Sequence, residues 1–272
     1  MTKPVVYTFS HSVWAAVAEI AVAELNVDVE FKQVVLINGE NFEPSFIKIN
    51  PKATLPTLTV GSSVYTDTKA VVSYLNSTVP TPVAKATDFT DLLHEDKYDP
   101  NFALLLARHD EELEAKAGSI PGVFVANRQA ALERISATPE AAEFKAFYEE
   151  KIAANGGLLK VYKGEVPEEA KNGFFQASLG HIANIRDLIL HVIPAKLPAS
   201  GFLGGERPGE DDFHLIGWLA RVASTAFGSN DANGILAYEK ELGVPVPPSV
   251  VSYWKLWAER SSFKTVYTEG LH

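Results

Sequence analysis

Two textures meet at Pro80-Thr81-Pro82, and together they limit what this 272-residue chain can fold into. Before those prolines, short β-branched and aromatic runs alternate with stretches of helical spacing. Val5–Phe9 reads as a buried strand, Val13–Leu25 as a helix and Val29–Ile37 as a second strand. Phe46 and Ile49 mark a short, irregular helix that ends at Asn50-Pro51. Thr57–Val60 and Val64–Tyr65 flank the turn Gly61-Ser62-Ser63, and Thr68–Leu75 is helical again. The order β-α-β-α-β-β-α, with right-handed crossovers and a closing hairpin, predicts a small four-stranded sheet with helices on its faces.

Beyond the prolines, strands give way to Ala, Glu, Leu and Lys-rich stretches. Leu104–Lys116, Arg128–Ile135, Pro139–Ala154, Glu168–Val192, Asp211–Phe227 and Val250–Ser261 all carry helical periodicity. The spacing predicts a mixed α/β domain over residues 1–80, a stiff connector over 81–92 and an all-helical domain over 93–272. The Gly- and Pro-rich loops at Gly201–Gly209 and Gly243–Pro248 separate helices within the last of these.

Composition removes several function classes. The net charge of -10, with no block of like charge longer than Asp110-Glu111-Glu112, opposes nucleic acids and anionic membranes. Cysteine is absent, so disulfides, thiolate metal sites and any mechanism with a protein thiol as nucleophile are excluded. The N-terminus lacks a basic segment leading into a long apolar one, and Glu19 interrupts the longest apolar stretch, so neither a signal peptide nor a membrane span is expected. The cytoplasm is the expected location.

Three stretches carry candidate chemistry. Ser10-His11-Ser12 is a hydroxyl-rich break between the first strand and the first helix. A Ser-His pair invites comparison with a serine hydrolase, but adjacent side chains rarely face each other and no Gly-x-Ser-x-Gly elbow occurs. Leu55-Pro56 stands immediately before an apolar β segment, where a proline is confined to a strand start or edge. A cis proline there would turn the backbone of Leu55 outward to pair with a peptide ligand. Asp67-Thr68 lies at the mouth of a helix, where free N–H groups attract a carboxylate, Thr68 adds a hydroxyl and Asp67 can pair an ammonium group. These would hold a zwitterionic amino-acid head, with simple N-capping by Asp67 or Thr66 as the plainer alternative. His94-Glu95-Asp96 and His109-Asp110-Glu111 lack metal-ligand spacing and read as solvated helix faces, so no metal is expected.

Taken together, these motifs and the element order resemble the glutathione transferase family. Asn50-Pro51 followed by Leu55-Pro56 stands where the family has Asn-Pro and Val-Pro, and Asp67-Thr68 where it has Glu-Ser. Gly201–Phe213 is similar to the family's helix-capping element, with Gly209 in place of the customary hydroxyl cap and Asp212 left to close the helix start. The resemblance covers roughly residues 4–80 and 200–222. The phrasing Ser-Val-Trp-Ala-Ala-Val-Ala-Glu from Ser12 is similar to fungal members.

The resemblance implies a thioredoxin-like N-terminal domain followed by an all-helical one, glutathione as co-substrate, and a homodimer. It implies that a hydroxyl near the first helix favours the glutathione thiolate: Ser12 first, with Ser10 and Tyr7 as alternatives. It implies that Asp67 and Thr68 grip the γ-glutamyl head, that Leu55 and Pro56 meet the cysteinyl backbone, and that Asn41, Lys52 and Thr54 hold the glycine end. Phe9, Trp14, Phe102, Leu105 and His109 would line the pocket for a hydrophobic, in particular aromatic, small molecule. Most of these are equally suited to a core role. Without a protein thiol, the remaining chemistries are conjugation, ether thiolysis and peroxide reduction by bound glutathione. The rival class is a non-catalytic carrier or interaction protein on the same fold.

Overall fold

The computed structural model describes residues 2–272, apart from the side chain of Phe102. In chain order the elements are β1 (Val5–Thr8), α1 (Val13–Leu25), β2 (Glu30–Gln33), α2 (Pro44–Ile47), β3 (Thr57–Val60), β4 (Ser63–Tyr65), α3 (Thr68–Ser77), α4 (Asp88–Leu93), α5 (Pro100–Leu105), α6 (Asp110–Ala117), α7 (Ile120–Ser136), α8 (Lys145–Tyr162), α9 (Glu168–Asp187), α10 (Ile193–Lys196), α11 (Glu210–Thr225), α12 (Glu239–Leu242), α13 (Pro248–Ala258) and α14 (Ser261–Val266). The strands form one sheet in the order β2-β1-β3-β4.

Packing divides the chain into two compact units. One comprises Met1–Lys32, Leu55–Ala103 and His181–His272; the other comprises Gln33–Thr54 and Leu104–Gly180. In the first, the core joins Val6 of β1 and Leu58 of β3 to α1, α3 and the fully buried side chains of α11 and α13. The α1–α11 contact is unusually close because of Gly217: a Cβ there would lie 2.5 Å from Val17 Cγ2. Gly217→Ala is therefore expected to cost about 1–3 kcal/mol by overpacking, with Val17→Ala restoring part of it; urea unfolding of the two single variants and the double variant checks this.

The start of α11 is the densest polar node of this unit. Glu210, Asp211 and Asp212 are consecutive acids, and all three are buried. Glu210 accepts from Asn76 Nδ2 at 2.6 Å and from the Ala86 N–H at 3.2 Å. Asp211 accepts from the Thr87 N–H and from the hydroxyls of Thr87 and Thr90. Asp212 accepts from the N–H groups of Leu203, Gly204 and Gly209 at 2.7–2.8 Å and from the Tyr253 hydroxyl at 2.9 Å. Gly209 is the N-cap of α11, and the expectation that Asp212 closes this helix start holds. A Cβ on Gly209 would lie 3.0 Å from the Ala84 carbonyl oxygen, so the position has little room for a capping side chain.

The second unit gathers Phe42, Ile47 and Ala53 with Ala131, Leu132 and Ile135 of α7 and with Tyr148 of α8. Gly39 has φ +73°, and a Cβ on it would lie 2.4 Å from Ala131 Cβ. Tyr148 donates its hydroxyl to the Phe42 carbonyl at 2.7 Å.

Several expected elements are shorter or divided. The strand expected over Val29–Ile37 is confined to Glu30–Gln33; Leu36–Asn38 and Glu40–Phe42 form tight 3₁₀ turns, and the Val35 N–H bonds Glu40 Oε2 rather than a neighbouring strand. The helix expected over Leu104–Lys116 breaks before Asp110, where His109 Nδ1 accepts the Glu112 N–H and Arg108 bonds the Glu112 carboxylate. His109 is thus a helix cap, not part of a continuous helical face. Pro139–Phe144 is a 3₁₀ stretch leading into α8. The helix over Glu168–Val192 widens to a π-helical turn at Leu188–Val192, just before Pro194, which has no N–H to continue the α pattern. α4, capped by Thr87, is too short to give a periodic signal.

Candidate active site

Strand register brings the N-terminal motifs of the first unit to one end of the sheet. β1 and β3 are antiparallel with Tyr7 opposite Thr57, and β3 and β4 are antiparallel with Leu58 opposite Tyr65. The C-terminal end of β1, the N-terminal end of β3 and the C-terminal end of β4 therefore coincide. From the first leads the turn Phe9–Ser12 into α1, Leu55-Pro56 precedes the second, and the third leads through Thr66 to Asp67 and α3. Two helix N-termini, each a concentration of unsatisfied N–H groups and positive dipole, start at this end.

Ser12 is the N-cap of α1, in extended backbone geometry, and its Oγ accepts the Ala15 N–H at 3.4 Å. Its own N–H closes the turn onto the Phe9 carbonyl at 2.9 Å, and its carbonyl receives the Ala16 N–H. A hydroxyl has one proton and two lone pairs, so accepting a cap bond leaves its O–H to donate to an anion at the helix head. Ser10 lies in the turn itself, with Oγ 3.1 Å from His11 Nδ1. Tyr7 alternates with Val6 and Thr8 along β1. Val6 belongs to the core that includes α1, and Thr8 donates to Glu19 of α1, so the Tyr7 ring projects from the opposite face, 5.4 Å from Lys32 Nζ.

Asp67 is the N-cap of α3, its Oδ1 accepting the Ala70 N–H at 2.8 Å. The plainer capping role is thus present, and the carboxylate retains further lone pairs at an exposed position. Thr68 is buried, while its neighbour Lys69 pairs with Asp91 at 2.6 Å. The Leu55–Pro56 peptide is cis, and Leu55 stands two residues before the β1–β3 ladder begins. Asn41, Lys52 and Thr54 belong to the second unit. Asn41 is buried and donates to the Ala53 carbonyl at 2.9 Å, with its Oδ1 unpartnered. Lys52 and Thr54 are exposed on the loop braced by Asn50, whose Nδ2 donates to the Thr54 carbonyl at 3.0 Å.

Among the residues expected to line a hydrophobic pocket, Phe9 is half-buried, 5.5 Å from the His11 ring. Trp14 stacks on His94 at 3.8 Å. Leu105 is half-buried, and its carbonyl receives the Tyr162 hydroxyl at 2.6 Å. His109 caps α6, and the side chain of Phe102 lies outside the described residues. Among the described residues no cluster of three or more metal-ligating side chains occurs.

The structure also shows polar groups behind the turn that the motifs do not announce. Arg221 of α11 donates Nη2–H to the His11 carbonyl at 2.6 Å while only 5% exposed. Burial draws its pKa down to about 10, which leaves it charged at neutral pH. Asp99 is pushed up by burial, opposed by the Asn101 N–H, the Trp14 indole and the charges of His181 and Arg221. Arg221 had a sequence signal: it is a charge set among Gly217, Trp218, Ala220 and Val222, on a helix whose other side chains there are apolar.

Residues 11–78 match the model of the glutathione S-transferase N-terminal domain. Over 78 residues the chain is 37% identical to "Glutathione S-transferase 1" of Dianthus caryophyllus, covering 29% of this chain and 35% of that protein. The chain thus spans about a third of the length of the first such relatives. It is 24% identical to "Glutathione S-transferase TCHQD" of Arabidopsis thaliana over 271 residues, which cover 96% of this chain and 88% of that one. The crystal structure of poplar glutathione transferase F1 shares the fold with a TM-score of 0.56 at 13% identity, covering 99% of this chain and 98% of that chain. Residues 11–78 thus carry the likeness to the glutathione S-transferase N-terminal domain, and the chain has the glutathione transferase fold, with a thioredoxin-like N-terminal sheet and a largely helical remainder, the fold class expected from the sequence. No helix is long and apolar enough to cross a membrane among the described residues.

Proposed function

We propose that this protein is a glutathione transferase in which Ser12 favours the thiolate of bound glutathione and presents it to a hydrophobic electrophile. The observation that carries the reading is the Ser12 hydroxyl at the head of α1, capping the helix as an acceptor with its proton still able to donate. Such a donor and the helix dipole both lower a thiol pKa, and a shift of two units below ~8.5 needs roughly 2.7 kcal/mol. Ser12 is favoured over Ser10, which lies in the turn beside His11, and over Tyr7, which projects from the other face of β1. Asp67 at the head of α3 is suited to the ammonium of the γ-glutamyl group, and Leu55 with cis-Pro56 to the cysteinyl backbone. In this reading residues 1–80 act as the glutathione-binding domain, 81–92 as linker and 93–272 as the source of the co-substrate site. A cytoplasmic homodimer is the expected form. With no cysteine in the chain, the reacting sulfur belongs to glutathione, and conjugation, ether thiolysis and peroxide reduction are the compatible reactions.

Calorimetric titration with glutathione, thiolate absorbance against pH, and turnover of a chlorinated nitrobenzene test the reading together. Ser12→Ala is expected to lower kcat/KM about 100-fold and return the bound thiol toward ~8.5. The lost cap should also cost about 1 kcal/mol of stability. A wild-type protein that binds no glutathione overturns the reading. One that binds glutathione and the aromatic compound without ionising the thiol or consuming it is a carrier.

A further inference from the structure

The turn that holds Ser12 is clamped from behind. Ser12 N–H bonds the Phe9 carbonyl inside the turn, and the intervening His11 carbonyl points to the Arg221 guanidinium at 2.6 Å. This clamp comes from a helix 210 residues further along the chain. Arg221 is almost wholly buried, its Nε has no hydrogen-bond partner, and no ion pair involves it among the described residues. Burying a guanidinium with so incomplete a set of partners costs free energy, and replacing such a group by an apolar one of similar volume is commonly neutral or stabilising. Stability therefore does not account for a charge at this place.

Around it stand two neutral rings and one carboxylate, Asp99. Tyr267 is fully buried with its hydroxyl unpartnered, and burial pushes its pKa up, so it is neutral. His272, 5.6 Å from the His11 ring and 4.9 Å from that of Tyr267, has its pKa drawn down to about 4 by burial and then by Arg221 and His11, so it too is neutral at pH 7. Asp99 is the carboxylate that faces Arg221, and it accepts the Asn101 N–H at 2.9 Å. Glu19 of α1, hydrogen-bonded by Thr8, faces Tyr267 instead.

We infer that Arg221 is a positioning residue for the thiolate: it fixes the Phe9–Ser12 turn through the His11 carbonyl and places a buried positive charge behind the head of α1. This rests on the proposed role of Ser12 and extends it, because a positive charge buried behind the turn favours an anion at the helix head independently of the hydroxyl. The neutral variants Arg221→Met and Arg221→Gln should raise the bound-thiol pKa by about one pH unit. At pH 6.5 their kcat/KM should fall about tenfold, and the deficit should close at alkaline pH, where the thiol ionises unaided. Arg221→Lys, which keeps the charge, should stay within about 0.3 pH unit of wild type.

Thiolate absorbance of the glutathione complex against pH reads all three variants. A structural role alone would lower activity equally at every pH and leave the thiol pKa unmoved. A depressed thiol pKa in wild type, unchanged in the folded Met or Gln variant, overturns the inference and leaves the Ser12 reading standing. A wild type whose bound thiol ionises as in free solution overturns both. If neither neutral variant folds, Arg221→Lys decides: a thiol pKa one unit above wild type overturns the inference, and one within 0.3 unit supports it.

Discussion

Asp212→Ala is expected to lower the unfolding free energy by about 4 kcal/mol and the melting temperature by roughly 10 °C. The side chain is fully buried and accepts four hydrogen bonds, three from backbone N–H groups of the Leu203–Gly209 loop and one from Tyr253. Removing it strands all four donors, each costing about 1–3 kcal/mol if water does not reach it. Burial itself opposes ionisation of Asp212, and the bonds from Gly209, Leu203, Gly204 and Tyr253 oppose that effect. Asp212→Asn keeps one acceptor oxygen and sets an amide N–H₂ against other donors, so its loss should lie between alanine and wild type. Calorimetric melts of the three proteins check this; an alanine variant within 1 kcal/mol of wild type would show that the node is not what ties this loop to α11 and α13.

Acid should destabilise the protein through a histidine pair. His94 Nε2 and His214 Nδ1 are 2.8 Å apart, and His214 is fully buried with Nε2 unpartnered. Burial draws the His94 pKa from 6.5 to about 4, with Asp67 and Asp91 opposing and Lys69 assisting the shift; burial and then the charge on His94 draw His214 well below its ordinary value. Both groups bind protons less readily in the folded state than in the unfolded one. Their contribution is therefore complete above pH 6.5 and is lost as the pH falls from about 6.5 toward 4. For His94 alone the loss approaches about 3 kcal/mol, from 1.36 kcal/mol per pH unit. Urea unfolding between pH 4.5 and 7.5 should show stability rising with pH, and His94→Gln should flatten that rise by about one proton. An unaltered slope in the glutamine variant would place the acid sensitivity elsewhere.

The N-terminal pattern was legible because local chemistry and tertiary structure agree there. α1 and β3 have the bounds that periodicity gave them, and Asp67 fills the capping role weighed for Asp67 or Thr66. Where the two disagree, the sequence misleads. Val34–Ile37 is as apolar as a strand, but Gly39 with positive φ and the Glu40 carboxylate turn the backbone into 3₁₀ geometry. Within Glu210-Asp211-Asp212 only the capping role of Asp212 was legible; the partners of this run lie in residues 76–90, 203–209 and 253, and no local pattern announces the distant pairings. The same holds for Arg221 behind the Ser12 turn and for His94 beneath Trp14. Capping and periodicity are local and readable, whereas the partners of buried polar groups are set by topology.

The acidic node has a temporal consequence. Asn76 reaches Glu210 across 134 residues, and Thr87 and Thr90 reach Asp211 across more than 120. A nascent chain made at ~5–20 residues per second passes many seconds with the α3–α4 segment synthesised and its polar partners not yet made. During that interval the sheet and its first helices lack the α11 surface that covers them. The arrival of α11 therefore supplies together its share of the cover over α1, the anchoring of residues 76–90 and the clamp on the turn that carries Ser12, and α14 then closes over Glu24 of α1.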